Sequence, residues 1–391
     1  MGGSLGGLTA ALVLRDAGCD VDVYERSEAP LQDRGAGIVL HPATVRYLVD
    51  NQIRTTSEIG VAARCLRYLS CDDGVVSESP SEFRFTSYYA LYRDLFGCFD
   101  ADRYHLGSEV VGFDAAGGDV EVALVHGAST RCDLLVCADG VRSSARARLL
   151  PDVSPRYAGY VGWRGAVASA DLSAAMSGVL QDAITYCVIP NSHLLAYPIP
   201  GAGGPRDGRA AAMNWVWYRN VTAGEELAQL LTDRDGARRS VSVPPGFVHE
   251  RYLGELVSTA GDVFPAPLAE LIARTPDPFV QAVYDIDVPR MAFGRICLIG
   301  DAAFALRPHI AAGTAKAAED AWRLGDAMAD ANGNVETALR HWEPHQLALG
   351  RSALRRTREA GERSQFSNTW RVGDPLPFGL YDQGDSSLPP C

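Results

Sequence analysis

An aspartate, a proline turn and the start of an alanine-rich helix follow one another within residues 300–321. Residues 295–299 just before them are almost wholly apolar, which predicts a buried strand with Asp301 at its carboxyl end. After Pro308, residues 311–314 open a long helix whose free N–H groups and positive dipole end can hold an electron-rich group. A reduced flavin ring is such a group, so this order of residues predicts a flavin site that Asp301 faces.

A glycine-rich turn at the amino terminus predicts the other half of a cofactor site. Residues 2–7 read GGSLGG and lead into an amphipathic helix over 8–17 and a strand over 19–24 that ends at Glu25. In a dinucleotide fold such glycines let the backbone approach the pyrophosphate, and an acidic residue about 20 positions on binds the ribose. Ser4 occupies the second glycine position, so the turn alone also fits an ordinary tight turn.

This fingerprint should follow a parallel strand of about five or six residues, yet the chain begins at Met1 without one. We therefore expect that residues upstream of Met1 belong to the native protein. The alternative is a protein that lacks the middle of its nucleotide-binding sheet, whose exposed strand edges would reduce cofactor affinity and solubility.

The remaining patterns predict two interleaved domains. Runs of alternating or apolar residues predict strands of the nucleotide-binding domain at 109–114, 120–125 and 133–138. Runs rich in β-branched and aromatic residues predict a second sheet from strands at 163–168, 184–189, 193–199 and 211–218. Helical patterns occur at 223–232, 267–274 and 336–361.

The predicted fold class is α/β, with a Rossmann-like FAD-binding domain on a parallel sheet interleaved with an α+β substrate domain on an antiparallel sheet. We assign residues 1–64, 101–155 and 290–362 to the FAD-binding domain. Residues 65–100 and 156–289 form the predicted substrate domain, and 363–391 an irregular tail.

Composition excludes several classes of protein. A net charge of −12 disfavours nucleic acid or an anionic membrane as a partner. The nine cysteines are single and scattered, without metal-ligand spacing, so neither a metal site nor a disulfide framework is predicted and a reducing cytoplasm is expected. No apolar run approaches the roughly 18 residues of a membrane span.

Three separated elements together resemble the single-component FAD-dependent aromatic hydroxylases, which have the fold of para-hydroxybenzoate hydroxylase. Residues 2–25 resemble their FAD-binding start, residues 133–146 (DLLVCADGVRSSAR) their DG motif, and residues 300–320 their GD motif. The resemblance extends over nearly the whole chain. It implies bound FAD, transient NADH or NADPH, and O2 as a further substrate.

The resemblance also implies contacts for individual residues. Glu25 would bind the adenosine ribose, Asp301 the ribityl chain, and Asp139 both FAD and NAD(P)H. The other implied FAD contacts line the pyrophosphate or border the isoalloxazine ring: Gly2, Gly3, Ser4, Gly7, Pro308, Ala312, Gly313 and Thr314. Arg34 is a candidate contact of the FAD phosphates or the nicotinamide cofactor, although a lone arginine beside glycines is usually a surface residue.

Two positions depart from the family pattern. Tyr88 stands where the family often has an arginine that touches the flavin, and Cys137 replaces a usual glycine before Asp139. The contacts that the family makes at these positions are therefore not expected here.

The implied reaction passes a hydride from NAD(P)H to FAD and then one oxygen atom from a flavin C4a-hydroperoxide to an electron-rich ring. The protein must add a closed apolar pocket and a group that hydrogen-bonds a ring hydroxyl. His193 and Tyr197 are candidates because four residues along a strand place them on one face. His309 is a third candidate, and Trp217 and Tyr218 are candidate pocket residues from a neighbouring strand.

Each candidate also has a purely structural interpretation. His309 could cap the following helix, Tyr197 could be a packed strand aromatic, and His193 could be a solvated turn residue. We expect a hydroxylase of a small aromatic substrate such as a dihydroxylated pyridine or a similar phenol, with a homodimer left open. The alternatives are a monooxygenase of a larger phenolic natural product and a flavin-free, non-catalytic remnant.

Overall fold

The computed structural model describes residues 1–31, 37–72, 74–116, 118–201 and 210–385 of the chain. Within these residues the helices, in chain order α1 to α11, are Leu5–Asp16, Pro42–Asp50, Thr56–Ile59, Tyr88–Phe96, Ser144–Leu149, Ala174–Leu180, Glu225–Leu230, Glu250–Val263, Ala266–Ala273, Gly313–Asp330 and Val335–Gln365. None of the helices in these ranges is both long and apolar enough to cross a membrane.

The strands of the described ranges fall into one large sheet and several small ones. In chain order β1 to β19 they are Val23–Tyr24, Gly37–Val39, Val61–Ala62, Cys65–Leu69, Val75–Pro80, Arg84–Ser87, Tyr104–His105, Val110–Ala116, Asp119–Leu124, Ser129–Cys132, Leu135–Cys137, Arg156–Ala168, Ala183–Ile189, Ser192–Ile199, Ala212–Asn220, Ser242–Val243, Phe279–Asp285, Ala292–Phe293 and Ile296–Leu298.

Parallel strands form the nucleotide-binding part of the fold. β1 pairs with β7, and β11 pairs with β19. Met1 and Gly2 lie between these two pairs, because Gly2 donates to the carbonyl of Tyr24 (2.9 Å) and Ala138 donates to that of Met1 (2.8 Å). The carboxyl ends of β11 and β19 therefore lie beside the start of α1, which is where ligands bind in parallel sheets.

The large sheet has the order β16-β17-β12-β15-β14-β13-β4-β5 and is antiparallel except for the β13–β4 pair. Side chains alternate between its two faces. One face carries Val161, Trp163 and Trp217 and packs against α8 and α9. The other carries Tyr160, Tyr197 and Tyr218 and faces the nucleotide-binding part. The α/β fold class with parallel and antiparallel sheets is confirmed.

Several details differ from the predicted elements. The strand predicted over residues 19–24 is assigned only at Val23–Tyr24. Helix α4, which we placed in the substrate domain, packs its Leu91 and Leu95 with the apolar face of α1 instead, because both helices share one core. The long amphipathic helix α8 was not predicted. The tail predicted over 363–391 begins later, because α11 continues to Gln365; residues 366–385 are irregular, but they pack on the protein and bury Leu376 and Phe378.

Candidate functional site

A cavity of about 540 Å³ lies between the large sheet and the nucleotide-binding part. Its walls come from the start of α1, the strand β2, the turns after β11 and β19, the start of α10, and residues beyond α11. One continuous space therefore connects the glycine-rich turn to the aromatic face of the large sheet. That shape suits an extended cofactor with a second, smaller ligand at one end.

The predicted glycines at the amino terminus act mainly by allowing close packing. Gly2 has a φ of +88°, and a Cβ on Gly7 would lie 1.9 Å from the carbonyl oxygen of Gly2. A Cβ on Gly3 would collide with the ring of Tyr104. Ser4 lines the cavity together with the first residues of α1, so the helix start is the part of this turn that a ligand can reach.

Glu25 is buried and holds the glycine-rich turn in place. Its two carboxylate oxygens accept hydrogen bonds from the amides of Gly3 and Ser27, both at 2.9 Å. Each oxygen keeps a further lone pair for a ligand hydroxyl. The expected ribose contact of Glu25 stays a prediction.

Ser4 and Tyr88, two positions that depart from the usual patterns, are bonded to each other. Their hydroxyl oxygens lie 2.7 Å apart, and both residues line the cavity. The Tyr88 ring also stacks on Tyr92, with centroids 5.9 Å apart. A neutral hydroxyl pair therefore stands at a place where the family pattern would put a guanidinium.

Asp301 opens onto the cavity from the turn that follows β19. The residue is exposed to the open cavity, but the protein packed around this turn raises its pKa to about 6, against the opposing charges of Lys316 and Arg146. Gly300, with a φ of +57°, donates its amide to the buried carboxylate of Asp320 at 2.8 Å. Lys316 pairs with the same carboxylate at 2.6 Å, so a buried ion pair fixes the turn that presents Asp301.

Asp139 lies beside this turn and has an unused acceptor. Its Oδ2 accepts from the amide of Ala145 at 3.2 Å, while its buried Oδ1 has no hydrogen-bond partner among the described residues. Arg146 donates to the carbonyls of Val141 (2.6 Å) and Ala302 (3.0 Å) and so connects the two motif turns. A ligand hydroxyl or amide would satisfy the free oxygen of Asp139.

Pro308, Ala312, Gly313 and Thr314 all line the cavity, and their expected contacts with the flavin ring stay a prediction. Ala311 just before the start of α10 has a φ of +54°, a left-handed conformation that is costly for a residue with a side chain. His41 holds it there through an Nε2 contact of 2.9 Å to the Ala311 carbonyl. The amides at the start of α10 are thereby fixed toward the cavity side of the loop.

His309 and His193 meet at the far end of the cavity, where their ring centroids lie 5.5 Å apart. His309 Nε2 is hydrogen-bonded to the Tyr160 hydroxyl at 2.7 Å. Burial lowers the pKa of His309 to about 3 and that of His193 well below its ordinary value. Both histidines are therefore neutral at physiological pH.

Aromatic rings enclose these two histidines. Tyr218 and Trp370 lie 4.9 and 4.8 Å from the His193 ring, and burial raises the pKa of Tyr218 to about 12. Tyr197 also lines the cavity, but its hydroxyl donates to the Gly37 carbonyl at 2.9 Å and its ring stacks on Phe85 at 4.3 Å. Through this hydrogen bond to Gly37, Tyr197 holds strand β2 against the large sheet.

Trp217 does not belong to this cavity. It points to the opposite face of the sheet, where its ring packs on Phe264 at 4.8 Å and its Nε1 donates to Ser192 at 2.9 Å. The reason is strand alternation, because adjacent residues such as Trp217 and Tyr218 must face opposite sides. Arg34 lies outside the described residues.

The sequence interpretation did not assign Tyr160, Arg164 or Trp370 to the site. Arg164 and Trp370 line the cavity, and the fully buried Tyr160 is hydrogen-bonded to the cavity residue His309. Period-two alternation within β12 could have placed Tyr160 and Arg164 on one face, whereas nothing in the pattern marked Trp370. The Nε of Arg164 is buried and lacks a hydrogen-bond partner within the described ranges. No group of three or more potential metal ligands occurs in the part of the chain that the structure describes.

Comparisons with known proteins also indicate an FAD-binding fold. A family model described as FAD binding domain-like matches residues 157–285. The chain is 38% identical over 390 residues to 2,6-dihydroxypyridine 3-monooxygenase of Paenarthrobacter nicotinovorans, which covers 99% of this chain and 96% of the relative.

Solved structures agree with this match. The structure of 2,6-dihydroxypyridine-3-hydroxylase from Arthrobacter nicotinovorans matches with a TM-score of 0.91 at 37% identity, over 99% of this chain and 97% of that one. Klebsiella pneumoniae HpxO complexed with FAD and uric acid matches with a TM-score of 0.76 at 24% identity, over 94% and 88% of the two chains, which shows a shared fold.

Proposed function

Because this chain belongs to the FAD-dependent aromatic hydroxylases, we propose that it hydroxylates 2,6-dihydroxypyridine to 2,3,6-trihydroxypyridine, with NADH or NADPH and O2 as co-substrates. The observation that carries the proposal is the similarity to 2,6-dihydroxypyridine 3-monooxygenase over nearly the full length of both chains. The enclosed cavity end, with two neutral histidines and Tyr218 around it, supports a small planar polar ring as the substrate.

The residues along the cavity fit FAD. Ser4 and the start of α1 suit the pyrophosphate, Asp301 suits hydroxyls of the chain between the two ring systems, and the start of α10 suits the flavin ring. Asp139, whose Oδ1 is buried and unpaired among the described residues, lies in sequence between the cavity-lining residues Ala138 and Gly140. When bound there, FAD supplies the hydride and oxygen chemistry that side chains cannot supply.

We assign His309 the role of a neutral hydrogen-bond partner for a ring oxygen. A histidine whose pKa is about 3 is a poor base for a ring hydroxyl, so proton removal by His309 is disfavoured. Arg307 is engaged by the carboxylate of Asp285, so His309 Nε2 is the acceptor within reach of the Tyr160 O–H. In that tautomer Nδ1 carries the hydrogen and can donate to the oxygen of the ring.

The cavity walls keep water from the reacting ring. Tyr218 and Trp370 line the cavity beside the histidines, and the fully buried ring of Tyr160 packs against His309. Exclusion of water strengthens each hydrogen bond to the substrate and prevents side reactions of the reduced cofactor. His193, at the centre of these rings, is the second group able to contact a ring oxygen or nitrogen.

The test is substrate-stimulated oxidation of NADH and of NADPH by the purified FAD-containing protein. We expect 2,6-dihydroxypyridine to stimulate oxidation more than salicylate or polycyclic phenols do, and mass spectrometry to find one added oxygen in the product. Greater stimulation and coupling with a polycyclic phenol would overturn the proposed substrate. A protein that takes up no FAD on reconstitution would overturn the enzymatic proposal itself.

Assembly and location stay predictions. The sequence analysis did not decide between a monomer and a homodimer. Light scattering during size-exclusion chromatography measures the molar mass and so distinguishes the two. A cytoplasmic location likewise rests on cysteine usage alone.

A further inference from the structure

Residues 366–385, here called the C-terminal strap, follow the long helix α11 and contain no helix or strand. The strap nevertheless forms part of the cavity wall. The strap residues that line the cavity are Trp370, Pro375, Pro377, Phe378 and Gln383. A segment predicted to be a tail thus closes one side of the site.

Side-chain contacts to backbone atoms hold the strap in place. The guanidinium of Arg356 on α11 donates to the carbonyls of Gly379 (2.8 Å), Leu380 (3.0 Å) and Tyr381 (2.7 Å). The amide of Gly379 donates to the carbonyl of Ile310, next to the Pro308 loop, at 3.1 Å. The strap is therefore fixed to the loop that borders the expected flavin position.

Two aromatic rings of the strap line the cavity, and one of them, Trp370, lies at the end where the two histidines meet. Trp370 meets His193 edge to face, with centroids 4.8 Å apart, and Tyr186 at 5.4 Å. Phe378 is buried and meets Phe83 at 5.0 Å. Edge-to-face pairs of this kind stabilise the positions of the rings beyond the free energy that burial of their apolar area contributes.

We propose that Trp370 and Phe378 limit the substrate to a single aromatic ring, so that the C-terminal strap is the element that determines substrate size. The proposal rests on the proposed function, because it concerns the ring that the same cavity binds. Truncation of Trp370 removes an indole beside His193 and leaves space for a second fused ring. The wild-type strap should thus exclude planar, dihydroxylated heteroaromatic compounds with two fused rings.

The test compares wild type with Trp370→Ala and Phe378→Ala, using 2,6-dihydroxypyridine and 2,4-dihydroxyquinoline as probes. Val372→Ala is the matched control, because Val372 is an exposed strap residue outside the cavity lining. We expect Trp370→Ala to shift the ratio of the two kcat/KM values toward the quinoline by at least about tenfold, the discrimination that even small changes in an apolar pocket produce. Val372→Ala should leave the ratio unchanged.

A ratio unchanged in both cavity variants would overturn the proposal. Dissociation constants from ligand-induced changes in the flavin spectrum provide a readout that does not need turnover. If wild type binds neither probe, the proposed function fails, and salicylate and its fused-ring analogue 1-hydroxy-2-naphthoic acid then test the strap by the same ratio. Trp370→Phe, a smaller change, should give a shift in the same direction if Trp370→Ala does not fold.

Discussion

At the scale of single residues, Ser4 and Tyr88 show how two departures from a pattern can depend on each other. A glycine at position 4 would leave the Tyr88 hydroxyl without the partner that lies 2.7 Å away. An arginine at position 88 would place a charge where the structure has a neutral pair. We infer that the two positions are coupled, so that one change alone disturbs the start of α1 more than both together.

Asp301 gives the first prediction. Asp301→Asn should weaken FAD binding by about 10- to 100-fold, because a charge-assisted hydrogen bond to a ligand hydroxyl contributes about 1.5–3 kcal/mol. Titration of the flavin-free protein with FAD, followed by flavin fluorescence, measures this. Asp330→Asn, an exposed change near the end of α10, is the control. Equal FAD affinity of Asp301→Asn and wild type would contradict the assigned role.

Asp301→Asn should weaken FAD binding but stabilise the flavin-free protein, and this stabilisation should depend on pH. The folded pKa of Asp301, about 6, lies above its unfolded value, so the ionised carboxylate opposes folding, and the exposure of Asp301 to the cavity keeps this penalty small. This penalty is complete above pH 6 and disappears as pH falls below the unfolded pKa of about 4. Flavin-free Asp301→Asn should therefore melt at a higher temperature than wild type at pH 8, and the difference should shrink toward pH 4.

Tyr160→Phe tests the hydrogen bond to His309. We expect kcat to fall about tenfold with FAD affinity unchanged, because His309 Nε2 loses its buried partner and the tautomer is no longer fixed. Stopped-flow and steady-state rates measure kcat. Tyr157→Phe, on the same strand but bonded to the Val221 carbonyl outside the cavity, should retain full activity. Loss of FAD rather than of rate in Tyr160→Phe would indicate a structural role only.

At the scale of secondary-structure elements, the turn between β19 and α10 depends on a buried ion pair. Lys316 and Asp320 lie one helical turn apart, are at most 1% exposed, and hold the amide of Gly300. Burial raises the pKa of Asp320, which the Lys316 charge opposes. An unpaired carboxylate at this place would be costly, because it has no access to water.

Lys316→Met should therefore destabilise the protein by about 3–5 kcal/mol. Arg323→Met on the same helix breaks a pair whose arginine is 52% exposed, and it should cost no more than about 1 kcal/mol. Urea unfolding followed by circular dichroism compares the two variants. Similar midpoints for both would show that the buried pair does not stabilise the turn.

The sequence could predict those elements in which local pattern and chemistry coincide. The apolar run before Asp301 and the helix after Gly313 are of this kind, and both occur in the structure. Alternation placed His193 and Tyr197 on one face of β14, but it could not tell which face meets the cofactor, and Trp217 was assigned to the wrong one. The role of the C-terminal strap depends on long-range contacts and has no periodicity to reveal it.

At the scale of the whole molecule, the cavity exists only when segments distant in sequence are folded together. Ser4 and His309 line the same space although about 300 residues separate them. A ligand that spans this space binds the folded state and not the unfolded chain. Its binding therefore stabilises both halves of the fold at once.

We expect FAD at 100 times its dissociation constant to raise the free energy of unfolding by about 2.7 kcal/mol. Thermal melting of the flavin-free protein over a series of FAD concentrations measures this, with riboflavin, which lacks the adenosine diphosphate part, as the control. Asp301→Asn should need a proportionally higher FAD concentration for the same stabilisation. A melting temperature independent of FAD would contradict binding across the cavity.

Lys316 is the only lysine of the chain, and its amine is buried in an ion pair. Acylating reagents need an uncharged amine in contact with solvent, so this side chain can react only after α10 has opened. The acylated fraction of Lys316, followed over time by peptide mass mapping, therefore measures the rate of that opening event. Bound FAD should lower this rate in proportion to its occupancy.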